Sequence, residues 1–136
     1  STNIYRVKGG AIDLWVSSEL FENPNGLNYL DDELLVGTKN GIFAVSFADK
    51  VIRHLVQNTG GIDGLEIFDD GYFIISDWSG KVQLVHPTKA PIVLFDTSEL
   101  GINAADIEYI PDMNLLLVPT FMDNRVVAYD IHMVEN

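Results

Sequence analysis

The chain has 136 residues, 47% of them hydrophobic and 21% charged, which suits one folded body with a sizeable core and is too apolar for disorder. Eight Lys and Arg against twenty Asp and Glu leave a formal net charge of −12, which repels a phosphate backbone and an anionic lipid surface and so argues against nucleic acid and membrane partners. Cysteine is absent, which excludes disulfides, thiolate catalysis and cysteine-ligated zinc, and no apolar run approaches the ~20 residues that span a bilayer.

At the N-terminal end, Ser1-Thr2-Asn3 shows neither an initiator Met nor a signal-peptide pattern. The expectation is a soluble chain that begins inside something longer, with the compartment open and the periplasm or secretion as alternatives if sequence precedes it. Residues 4–7, the Gly9-Gly10 turn and residues 11–16 predict a hairpin, a half-repeat over 1–17.

Three full variants of one pattern follow. Pro24-Asn25-Gly26-Leu27 leads to Leu34-Leu35-Val36-Gly37 in a repeat over 24–57. Ile62-Asp63-Gly64-Leu65 leads to Tyr72-Phe73-Ile74-Ile75-Ser76 over 62–97, and Ala104-Ala105-Asp106-Ile107 leads to Leu115-Leu116-Leu117-Val118 over 103–131. Short β-branched and aromatic runs alternate with turns, as at Asp69-Asp70-Gly71, where glycine accepts a positive φ. Asp31-Asp32-Glu33 and Pro111-Asp112-Met113-Asn114 hold the same place. These acidic pairs read as turn chemistry rather than a catalytic dyad, because Asp and Asn bond their own backbone in turns.

Third strands are expected at 42–47, 81–85 and 125–129, and fourth strands at 51–56 and 92–95, the third repeat having none. Only residues 132–136 follow it. Gly26 lies 38 residues before Gly64, and Gly64 lies 42 before Asp106, a period of stacked β-units. The expected fold is therefore all-β: a β-propeller of about three four-stranded blades, half of a six-bladed ring.

Three repeats cannot close a ring, and an open end of ~500 Å² forgoes about 12 kcal/mol of apolar burial, comparable with a domain's whole stability of ~5–15 kcal/mol. The missing blades are expected either from a second copy, joined head to tail, or from absent upstream sequence.

In such a ring the loops entering each first strand, and those between second and third strands, open on one rim. The entering loops carry Asn25, Asp63, Asn103 and Asp106; the others carry Lys39, Asn40, Asp77, Trp78, Ser79, Phe121 and Asp123. Trp78 and Phe121 can stack on a sugar ring or simply pack their loops. His54, His86 and His132 are scattered and read as surface residues, and there is no Gly-x-Ser-x-Gly elbow, phosphate loop or His-Glu-x-x-His helix.

The paired starts Asn25-Gly26-Leu27 and Asp63-Gly64-Leu65 resemble those of the gluconolactonase, senescence-marker-protein and luciferin-regenerating-enzyme family of six-bladed propellers. The stretch from Ala105 to Pro111, with Val118-Pro119-Thr120-Phe121 and Asp123-Asn124-Arg125, looks like the last blade of bacterial members. The resemblance covers the C-terminal half of a family member. It implies a divalent metal on the axis, calcium with zinc as the alternative, for which Asn25 and Asp63 match two ligand positions; the family's other ligands would lie before Ser1.

It also implies hydrolysis of a sugar lactone or small ester, with Asp63 as ligand and as the base that activates water. Asp77, Trp78, Asn103, Asp106, Phe121 and Asp123 would form the substrate rim. Asp106 aligns with Gly64 rather than with Asp63, a departure from the pattern. The rival expectation is a non-catalytic propeller, resembling the NHL group, that binds a small molecule or partner while Asn25 and Asp63 are only turn formers.

Overall fold

The structure, a computed structural model, describes residues 1–134; of the expected tail, Glu135 and Asn136 lie outside the described residues. The fold is all-β, with thirteen strands in four small antiparallel sheets among the described residues. A two-stranded ribbon comes first, β1 (Asn3–Lys8) with β2 (Ala11–Ser17). Sheet I is β3 (Leu27–Leu30), β4 (Glu33–Gly37), β5 (Gly41–Ser46) and β6 (Ile52–Gln57), in sequence order. Sheet II repeats it with β7 (Leu65–Ile67), β8 (Phe73–Ser76), β9 (Lys81–Val85) and β10 (Ile92–Asp96). Sheet III has three strands, β11 (Glu108–Ile110), β12 (Leu115–Pro119) and β13 (Val126–Asp130). No helix among the described residues is long and apolar enough to cross a membrane.

The core lies between successive sheets. Ile4 and Val16 of the ribbon pack on Val36, Phe43 and Val45 of sheet I. The opposite face of that sheet, with Leu35, Ile42 and Ala44, packs on Leu65, Phe73 and Ile75 of sheet II. Sheet II in turn sets Ile74, Val82 and Leu84 against Ile107, Tyr109, Leu116 and Val118 of sheet III. Sheets covered on both faces need apolar side chains at every position, so β5 and β8 are continuous buried runs. Strand β13, covered on one face, alternates exposed and half-buried residues with the two-residue period of a pleated strand.

Turns follow the expected chemistry. Asp31, Asp70 and Asn114 all take left-handed φ angles, of 51°, 58° and 52°, which Asp and Asn tolerate better than other side chains. The reversal at Asp69–Gly71 rests on positive φ, 58° at Asp70 and 77° at Gly71, with the Tyr72 N–H on the Asp69 carbonyl at 3.2 Å, as its glycine led one to expect; Pro111–Met113 is a single 3-10 turn, and Ser98–Leu100 and Phe121–Asp123 are two more, outside the expected strands.

Two glycines set how closely the sheets approach. A Cβ on Gly26 would stand 2.8 Å from the Asp63 carbonyl oxygen, and one on Gly64 would stand 2.6 Å from Ile107 Cγ1 and 2.9 Å from its backbone nitrogen. Each repeat thus starts against the start of the next, which brings β3, β7 and β11 side by side. Asn28 fixes the spacing on the first side by donating its amide N–H to the Leu65 carbonyl at 3.0 Å.

Candidate functional site

Asn25 and Asp63 occupy the residue just before the close-approach glycine in repeats one and two. Backbone pairing holds both in register, Asn25 N–H on the Gly37 carbonyl at 3.0 Å and Asp63 N–H on the Ser76 carbonyl at 2.7 Å. Their side chains meet: Asn25 Nδ2 donates to Asp63 Oδ1. The other carboxylate oxygen, Asp63 Oδ2, accepts the Asp106 backbone N–H at 2.8 Å. One carboxylate therefore joins three successive repeats.

The pair borders an open groove of about 400 Å³ that Asp77, Trp78, Lys39 and Ser79 also line. The structure thus brings together four of the expected residues, Asn25, Asp63, Asp77 and Trp78. Asp77 serves its own turn, its Oδ1 accepting from Ser79 Oγ at 2.6 Å and from the Gly80 and Lys81 N–H groups at 3.0 and 3.1 Å. Trp78, 48% exposed, presents its indole to the groove and meets Phe121 edge-on with ring centroids 4.8 Å apart.

The remaining residues stand behind or beside this wall. Asn103 donates to the Trp78 carbonyl at 2.8 Å and so steadies the indole's loop. Asp123 pairs with Arg125, an exposed contact at 2.5 Å. Asp106 offers Asp63 its backbone rather than its side chain, since its Oδ1 turns back to accept the Ile107 N–H at 2.8 Å while φ sits at 57°. The residue matching Asn25 and Asp63 in the third repeat is Ala105, whose N–H pairs with the Pro119 carbonyl at 3.2 Å.

The sequence reading passed over Asn23 and Thr38 in the groove wall, and Glu66. Glu66 lies three residues beyond Asp63 on β7 and is half-buried where sheets II and III meet. Burial, then the nearby negative charges of Glu108 and Asp106, push its pKa up to about 7, against a downward pull from the Tyr109 N–H and the Asn28 side chain. A carboxylate in a short strand that is otherwise Leu and Ile was the available signal.

For a hard cation such as calcium, which takes ~6–8 oxygen ligands, the Asn25 amide oxygen and the Asp63 carboxylate are the right donor chemistry and supply two. Among the described residues no three His, Cys, Asp or Glu side chains gather into a cage. The donor set fits in kind and is incomplete in number.

No protein-family model matches the sequence, and a search of curated proteins found no match. Among solved structures, the computationally designed Ika4 protein is similar with TM-score 0.58 and 15% identity over 90% of this chain and 74% of that one. The computationally designed Ika8 protein is similar with TM-score 0.56 and 15% identity over 90% of this chain and 37% of that one. At that identity the likeness speaks to the fold alone.

Proposed function

We propose that the sheets are blades of a β-propeller and that the groove beside Asn25 and Asp63 is the site of a lactonase-like hydrolase acting on a sugar lactone or small ester. One observation carries this reading: two polar side chains 38 residues apart in sequence, each placed just before a close-approach glycine, meet at a groove with an aromatic wall. Asn25 and Asp63 would supply two oxygen ligands to a divalent cation, calcium before zinc. Such an ion polarises an ester carbonyl and stabilises the oxyanion that forms there. Asp63 would take the proton of the attacking water, and Trp78 would hold the apolar face of the ring.

The rival reading, a non-catalytic binding module, draws on one observation of its own: both Asp63 oxygens already accept N–H groups from the protein. In that case the carboxylate fastens the three repeats together. Lactone hydrolysis with and without calcium, in wild type and Asp63→Asn, separates the two. Loss of turnover by at least tenfold in a folded Asp63→Asn variant supports the hydrolase, and turnover equal to wild type, or absent from both, supports the binding module.

A further inference from the structure

Equivalent positions in the repeats have unequal surroundings. In sheet II, Leu65 and Phe73 face sheet I and are 2% and 3% exposed. The equivalent residues of sheet I, by strand pairing, are Leu27 and Leu34; Leu27 is 52% exposed and Tyr29, two residues on, is 69% exposed. The two-stranded ribbon covers only the outer part of this face. Beside it lies an apolar groove of about 380 Å³ bounded by Tyr5, Trp15, Leu27, Leu34 and Phe47.

The far side of sheet III shows the complementary deficit. Leu35 and Ala44 of sheet I, and Ile74 and Leu84 of sheet II, are buried against the sheet that follows. Their counterparts, paired in the same register, are Leu117 and Ala128, of which Ala128 is exposed. The equivalent polar position follows the same trend: Asn28 reaches the β7 backbone, Glu66 is half-buried, and Glu108, the third member of the series, is exposed.

We propose that these two faces are the halves of one interface, and that the far face of sheet III, centred on Leu117, Ala128 and Glu108, docks on the Leu27, Tyr29 and Leu34 face of a second copy of this chain. The occupant follows from continuity: where the ribbon leaves sheet I uncovered, each face matches in register one side of a junction the chain already makes twice within itself. A chain bearing one face of each kind makes a head-to-tail contact, and two copies close it with two identical junctions. Because each copy carries a net charge of −12, added salt should tighten the pair by screening their repulsion.

Sedimentation of wild type, Leu117→Lys, Leu27→Asp and an equal mixture of the two variants tests this, with circular dichroism as the check that each retains its β-structure. Wild type should run at twice the 15.1 kDa of one chain, and each variant alone should run at half the wild-type mass. The mixture should recover the doubled mass, since one junction is then intact and the other sets Lys against Asp. A folded wild-type monomer overturns the proposal and leaves these faces to further sheets of a longer polypeptide. A dimer that survives both substitutions, or variants that stay monomeric when mixed, overturns it equally. None of these outcomes depends on cation binding or turnover at the groove.

Discussion

The second and third repeats run the same strand pairing to different ends. In the second, Asp63 sits before a glycine that lets sheet III come within van der Waals range, and Ile74 is buried at the junction. In the third, Ala105 stands where Asp63 would be, Asp106 replaces the glycine, and Leu117 holds the place of Ile74 without a sheet to cover it. The same backbone thus carries an assembled junction once and an open face once. Side chains along β8 and β12 are similarly apolar, so the neighbour decides what each one contributes.

The largest expected effect tests that point. Ile74→Ala should cost ~2–5 kcal/mol by leaving a cavity in a fully buried position, whereas Leu117→Ala in the dissociated chain should cost about 1 kcal/mol or less. Denaturant unfolding at low protein concentration measures both, and equal losses would break the comparison. Gly64→Ala comes next, at ~1–3 kcal/mol of overpacking, since its Cβ would meet Ile107 at 2.6 Å. Asp106→Gly should fall within about 1 kcal/mol of wild type in the same assay, because relief of the left-handed φ offsets the lost side-chain bond to Ile107.

A smaller effect sharpens the comparison through pH. Glu66 has its pKa raised from 4.5 to about 7 in the folded chain, so the folded state holds the proton more tightly than the unfolded state does. Its contribution is therefore complete below about pH 4.5 and is lost as pH rises to about 7, with no further change above. Partial exposure to solvent keeps the slope shallow. Unfolding followed across that window should show stability falling for wild type, and Glu66→Gln should flatten the decline; an unchanged slope would mean that the junction does not hold this proton.

Much of the scaffold was legible because pleated strands write their period into the sequence. Expected third and fourth strands at 81–85 and 92–95 correspond to β9 and β10 almost residue for residue, and Asp31 and Asp70 announced turns that only Asp, Asn or Gly make easily. Aligning the repeats also placed Asn25 and Asp63 together, although nothing local links them. What stayed hidden depends on neighbours across a junction. The close approach at Gly26 and Gly64, the exchange of Asp106's side chain for its backbone, and the carboxylate of Glu66 are set by the facing sheet. The bulges at Trp15, Leu55 and Leu94, each an extra residue packed against a core cluster, likewise answer to packing rather than to local pattern.

The hydrolase reading requires Asn25 and Asp63, whose side chains meet, to hold a cation together. Calorimetric titration of the protein with calcium, beside Asp63→Asn and Asn25→Ala, tests this. The account predicts a saturable heat in wild type, weakened at least tenfold in both variants. Identical isotherms for all three proteins, or no heat in any, would contradict it and leave the pair as a fastening between repeats.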